Sequence, residues 1–198
     1  MNRESTPPPY QQIERRPPFP MQRGAAVTML VLDVDGVLTD GRITIDNGGV
    51  ESKHFNVRDG HGIKLLQRAG IKIAILTGRN SEVVNYRAAE LKIEHTVQGC
   101  LDKAEGLRTL AREAGVTPQQ CAMMGDDIVD LPAMRLCGLT LAPSDAHIAV
   151  RRHVDWFSRH RGGRGAVRQV CEGLILAHKQ WQEVIEQPYG ITPKECGW

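Results

Sequence analysis

Asp33 and Asp35, two carboxylates spaced i, i+2, end the apolar run Leu30-Val31-Leu32 and are followed by Gly36. Such a pair suits a reaction in which one carboxylate attacks and its neighbour moves a proton, provided their environments differ. Gly36 lets backbone N–H groups turn toward an anion with no Cβ in the way. Three further polar points follow in order: Thr77 in Thr77-Gly78-Arg79, then Lys103, then Gly125-Asp126-Asp127 with Asp130 close behind. Together they make a phosphoryl-transfer set. Converging carboxylates repel unless a cation sits between them, and an all-oxygen site with few protein ligands suits Mg²⁺. A hydroxyl and a lysine ammonium can hold phosphate oxygens as charge redistributes. Taken singly, each point has a plainer reading: a solvated Asp pair after a strand, a helix-start turn, a solvated lysine, a Gly-Asp-Asp hairpin. Their shared placement after successive strands argues for one site.

The elements that must position these residues alternate between strand and helix. An apolar strand runs from Thr28 to Asp33, and Arg42–Asp46 and Glu51–Asn56 alternate around Asn47-Gly48-Gly49 as a hairpin. Asp59 is expected to cap a helix through Arg68, which Gly70 ends. Strands follow at Ile71–Leu76, near Glu94–Val97, at Cys121–Met124, at Leu139–Ala142 and at Val154–Phe157. Helices fall at 81–91, 101–114, around Asp130, after Ser144, and as one long stretch from about Gly165 to Ile185. This beat predicts an α/β fold: a three-layer, Rossmann-like parallel sheet with helices on both faces and a small β-hairpin flap. Ligands of such sheets bind outside the carboxyl ends of the strands, where the polar points lie. The segments 34–76 and 78–102 are already filled by these elements at ordinary connection lengths, so neither holds a cap domain.

Composition narrows the class. Of the 198 residues, 25 are Lys or Arg and 23 Asp or Glu, a balance that gives no electrostatic case for nucleic acid. No apolar run reaches the ~20 residues of a membrane span, and the start lacks the apolar core of a signal peptide, so a cytoplasmic protein is expected. Five cysteines without CxxC spacing read as reduced thiols rather than a disulfide framework or zinc site. Residues 1–26, rich in proline, read as a disordered arm, 27–186 as the one folded α/β domain, and 187–198 as a flexible tail. Dinucleotide binding is disfavoured, since no GxGxxG follows the first strand.

DVDGVLTD, ILTGR, Lys103 and GDDIVD resemble, in that order, the four motifs of haloacid-dehalogenase-type phosphatases. The resemblance implies Asp33 as the nucleophile forming an aspartyl-phosphate and Asp35 as general acid and then base. It implies phosphate binding by Thr77 and Lys103, and Mg²⁺ held by Asp33, the Asp35 backbone carbonyl and Asp126, with Asp127 and Asp130 nearby. Within that superfamily, the hairpin, Val57-Arg58-Asp59-Gly60-His61-Gly62-Ile63 and Gly162-Gly163-Arg164-Gly165-Ala166-Val167-Arg168 resemble the 3-deoxy-D-manno-octulosonate 8-phosphate phosphatase family, with Gln169 where an acidic residue is expected. That implies a sugar-acid phosphate substrate, a role in lipopolysaccharide precursor synthesis, and a homotetramer whose neighbouring subunits cover each site. Phosphatases of nine-carbon sugar acids share the layout, and a phosphate-binding regulatory module is the non-catalytic alternative. Arg58, Arg79 and Arg164 are the guanidinium candidates for the substrate carboxylate. The glycines beside Arg164 suit close approach to a neighbour's substrate.

Overall fold

The computed structural model describes residues 17–198. Its centre is β1 (Met29–Leu32), whose four residues are all buried because helices cover both faces of the sheet. β1 pairs in parallel with β4 (Lys72–Leu76) on one side and β6 (Cys121–Met124) on the other. The full order is β5 (His95–Val97), β4, β1, β6, β7 (Leu139–Ala142), β8 (Trp156–Phe157), every neighbour parallel. Side chains alternate across a strand, so Leu30 and Leu32 enter one core with α2 (Val57–Arg68), α3 (Glu82–Leu91) and α7 (Ala166–Ala177). Met29 and Val31 enter the other, with α4 (Lys103–Ala114), α5 (Leu131–Met134) and α6 (Ile148–His153). This is the expected three-layer α/β architecture.

Between β1 and α2 lies the antiparallel hairpin of β2 (Thr44–Ile45) and β3 (Glu51–Ser52). Asp46 Oδ1 closes its turn by accepting from the N–H groups of Gly48 at 2.8 Å and Val50 at 2.9 Å. The hairpin and α2 fill the segment before β4, and α3 and β5 fill the segment before α4, with no cap domain in either.

Some sequence expectations differ from the structure. Asn56, not Asp59, caps α2, accepting from Arg58 N at 2.8 Å. Asp59 points across to α7, where its carboxylate accepts from Gly165 N at 3.1 Å and Arg168 N at 2.8 Å, donors that the first turn of a helix leaves unpaired. The expected long last helix breaks after Ala177. Lys179 adopts a left-handed conformation at φ 59°, and the chain resumes as a turn of helix over Gln182–Glu186, returning Trp181 to the core. Gln169, the departure from the family pattern, is buried and accepts from Ser158 Oγ and Arg159 N, both at 2.8 Å.

The chain ends differ as well. Of the expected arm, residues 1–16 lie outside the described residues, while α1 (Met21–Gly24) and Phe19 are packed on the body. Phe19 meets Trp156 and Trp198 edge-on at centroid distances of 5.2 and 5.7 Å, and Trp198 Nε1 donates to Glu172 Oε2 at 3.1 Å. The expected flexible tail is thereby fastened, because single aromatic anchors bury area without any periodic pattern to announce them. No helix among the described residues is long and apolar enough to cross a membrane, and all five cysteines are free thiols.

Candidate active site

The carboxyl end of β1 delivers Asp33 in extended conformation, after which the chain turns sharply through Val34–Leu38. Thr39, buried beneath this turn, accepts from Gly41 N through Oγ1 at 3.2 Å and donates its own N–H to Val34 O at 3.0 Å. Gly36 sits at φ 96°, and a Cβ there would fall 2.1 Å from Asp126 Oδ2. Only glycine lets the turn and the Asp126 loop approach so closely. Its N–H faces Thr39 Oγ1 at 3.4 Å, so the expected anion donor is turned into the loop instead.

Lys103 opens α4, whose first turn is capped by the Asp102 side chain accepting from Glu105 N at 3.1 Å. From there its Nζ donates to Asp33 Oδ1 at 2.8 Å and to Asp130 Oδ1 at 2.5 Å. The other oxygen of Asp130 accepts from Asp126 N at 2.9 Å and Asp127 N at 3.2 Å. One buried carboxylate therefore fixes both the lysine and the loop after β6. Asp127 is exposed and caps the following turn by accepting from Ile128 N at 2.7 Å.

Carboxylate oxygens of Asp33, Asp126 and Asp130 lie within 4.8 Å of one another. Burial raises Asp33 to about 6 despite Lys103, with Asp130 adding to the rise. Burial, followed by the charges of Asp33, Asp130 and Asp127, lifts Asp126 to about 7. Burial alone would lower Lys103, but Asp33 and Asp130 outweigh it and the ammonium is held above its usual value. One ammonium does not balance three carboxylates. Since both oxygens of Asp130 are engaged, Asp33 and Asp126 are the acids left to face a further cation.

Thr77, buried at the end of β4, has its Oγ1 3.4 Å from Arg79 N. Arg79 spans the mouth, its Nη2 2.9 Å from Glu51 Oε1 and its Nε 3.8 Å from Asp35 Oδ2. Asp33, Asp35, Thr77, Arg79, Lys103 and Asp126 line one cleft of about 320 Å³. A depression of about 590 Å³ lies by Gln67, Lys72, Lys92 and His95. There, Lys72 Nζ and Gln67 Nε2 already bond carbonyls at helix ends, on Ala114 and Leu91, and its two carboxylates, Glu94 and Glu113, belong to no three-acid cluster among the described residues.

The other two arginines are placed elsewhere. Arg58 is exposed in the first turn of α2, outside the residues lining the cleft. Arg164 pairs with Asp40 at 3.5 Å in a neighbouring pocket of about 400 Å³ lined also by Arg42 and His54. The adjacent glycines serve their own chain: a Cβ on Gly162 would meet Gly36 O at 1.7 Å, and Gly163 N donates to Val37 O at 2.9 Å. They let this loop lie against the turn after Asp33. Sequence reasoning missed Lys53, whose Nζ lies 2.5 Å from Asp35 Oδ1 and 3.4 Å from Glu51 Oε1. The i, i+2 placement of Glu51 and Lys53 on one strand face was its only signal.

Comparison with known proteins agrees with this geometry. Residues 55–138 match the model of the haloacid dehalogenase-like hydrolase family. The 3-deoxy-D-manno-octulosonate 8-phosphate phosphatase KdsC of Escherichia coli (strain B / BL21-DE3) is 42% identical over 163 residues, covering 82% of this chain and 87% of that one. The Moraxella catarrhalis phosphatase, solved with a magnesium ion, a phosphate ion and a KDO molecule, superposes with TM-score 0.82 at 38% identity, covering 84% and 96% of the two chains. The cobalt-bound Haemophilus influenzae phosphatase gives TM-score 0.81 at 40% identity, covering 86% and 100%. With motifs, sheet order and site in agreement, the chain belongs to the haloacid dehalogenase-like hydrolases, as a phosphoric monoester hydrolase of the 3-deoxy-D-manno-octulosonate 8-phosphate phosphatase family.

Proposed function

We propose that this chain hydrolyses 3-deoxy-D-manno-octulosonate 8-phosphate to the free sugar acid and inorganic phosphate, with Asp33 as nucleophile and Asp35 as acid/base. The observation that carries the reading is the Lys103 ammonium held between Asp33 and Asp130, which orients an otherwise repelled carboxylate in the cleft. An Asp33 oxygen attacks phosphorus while the bond to the sugar oxygen breaks, and Asp35 gives its proton to that oxygen. Water then attacks the aspartyl-phosphate at phosphorus, Asp35 takes the water's proton, and phosphate leaves with Asp33 restored. Thr77 and Lys103 hold the phosphate oxygens through both steps. The convergent carboxylates of Asp33 and Asp126 fit a hard divalent cation such as Mg²⁺, which would supply charge neutralisation at the phosphate, and in this reading the Asp35 backbone carbonyl would be the third ligand.

Arg79, at the cleft mouth, is the residue of this chain placed to take the substrate carboxylate. Arg58 and Arg164 lie outside the cleft of their own chain, so any contact they make with substrate is to a neighbour's. This reading goes with a homotetramer in which hairpins associate. Ile43, Ile45 and Val50 are 49%, 59% and 62% exposed, and the short hairpin strands leave edges to be covered. We place the protein in the cytoplasm, in lipopolysaccharide precursor synthesis, with five free thiols consistent with a reducing compartment.

Phosphate release measured over a panel of sugar-acid phosphates with Mg²⁺ tests the substrate. Preference for the eight-carbon acid is expected, and preference for a nine-carbon acid would replace it. Mixing Asp33→Asn with Arg164→Ala subunits tests assembly, because exchange should regenerate some sites with an intact Asp33 and a neighbour's Arg164. Activity that never exceeds the sum of the components despite exchange, or an active monomer on sedimentation, would overturn the shared site.

A further inference from the structure

We propose that Lys53 is a positioning residue for Asp35: delivered by the hairpin, it fixes which carboxylate oxygen faces the leaving group. The proposal rests on the reading of Asp35 as the acid/base residue.

Lys53 follows β3, and its side chain is 1% exposed, unusual for a lysine on a two-stranded flap. Burying an ammonium is costly unless it is paired, and here it lies against two carboxylates, Asp35 at 2.5 Å and Glu51 at 3.4 Å. The consequence for Asp35 is asymmetric. Oδ1 is taken by Lys53, while Oδ2 is buried with no hydrogen-bond partner among the described residues and has Arg79 Nε 3.8 Å away. A proton transferred to or from a sugar oxygen needs one carboxylate oxygen that is oriented and uncommitted. Oδ2 meets that requirement because Oδ1 is held.

A merely structural role is already filled by other contacts. Arg79 Nη2 at 2.9 Å from Glu51 also ties the hairpin to the loop after β4, so the hairpin has an attachment besides Lys53. Asp35 stands in an irregular turn with no side-chain hydrogen bond from its own loop, so its rotamer is set from outside. The same flap carries exposed Ile43, Ile45 and Val50.

The test compares Lys53→Met, Asp35→Asn and the double variant in full-length protein, on the sugar-acid phosphate with Mg²⁺. Met keeps most of the length of the unbranched side chain without its charge or donors. Misplacing a reacting group by about 1 Å costs on the order of 100-fold. Lys53→Met should therefore lose kcat on that scale while KM stays within about twofold, and it should add nothing to the loss in Asp35→Asn. A second readout is the pre-steady-state burst of nitrophenolate from 4-nitrophenyl phosphate, whose leaving group scarcely needs a proton. The burst rate should fall far less than kcat does on the sugar-acid phosphate. Equal losses on both, a rise in KM with kcat intact, or losses that multiply in the double variant would overturn the role of Lys53. If Lys53→Met lowers the melting temperature, Lys53→Gln gives the same comparison. Asp35→Asn retaining full turnover would sink the acid/base reading itself, whereas a crippled Asp35→Asn beside an unimpaired Lys53→Met would sink only the proposal.

Discussion

Asp33 and Asp130, each bonded to the Lys103 ammonium, are with it less than a tenth exposed, whereas the side chains of Arg79 and Arg164 keep 46% and 66% of their surface in water. The first region is anchored by β1, the start of α4 and the loop after β6, all parts of the sheet's central framework. The second hangs on the flap and on loops. Buried, cross-bonded charges hold their geometry before substrate arrives, which is what phosphoryl transfer requires of a nucleophile and its lysine. Exposed guanidinium groups leave room for a substrate, or a neighbouring subunit, to complete the recognition.

The contrast breaks most completely at Asp33. Asp33→Asn is nearly isosteric but cannot attack phosphorus, so Mg²⁺-dependent phosphate release should fall at least about 10⁴-fold with the melting curve preserved. Wild-type turnover in that variant would remove the nucleophile from the scheme. Asp130→Ala should act mainly on stability. It strips Lys103 of a buried partner and frees the N–H groups of Asp126 and Asp127, a loss of about 3–5 kcal/mol readable in urea titrations. A change under 1 kcal/mol would show that the loop needs no such anchor.

The same region should respond to pH and metal together. Asp33 and Asp126 sit at about 6 and about 7, above the ordinary carboxylate value of 3.8. Their contribution to stability is complete below pH 4 and is lost as pH rises through 6 to 7, where both charges must share the cleft. A divalent cation relieves that repulsion, so the melting-temperature gain from Mg²⁺ should grow between pH 5 and pH 8. A gain that is flat or that shrinks over this range would contradict the two acids as ligands. On the exposed side the expected effect is smaller and selective. Arg79→Ala should weaken use of the sugar-acid phosphate by roughly tenfold more than use of an aryl phosphate without the second carboxylate. Equal losses would assign Arg79 to phosphate or to holding Glu51.

The order of motifs in one chain determined the fold class, the absence of a cap, and the convergence of Asp33, Asp35, Thr77, Lys103 and Asp126. Alternating apolar strands and helices admit few topologies, and each motif ends a strand or starts a helix at one sheet edge. The sequence did not show where side chains would be spent. Asp59 looked like a cap for its own helix and serves α7; Gly162 and Gly163 looked like a door for a neighbour and pack on Gly36 and Val37. Lys53 gave no more than its i, i+2 spacing from Glu51 as a sign of its tie to Asp35, and Phe19 and Trp198 no sign that they meet. Periodicity is a local property of the chain and survives in the sequence. Pairings between residues far apart in sequence depend on how layers stack and loops cross, and only the packed tertiary structure decided them.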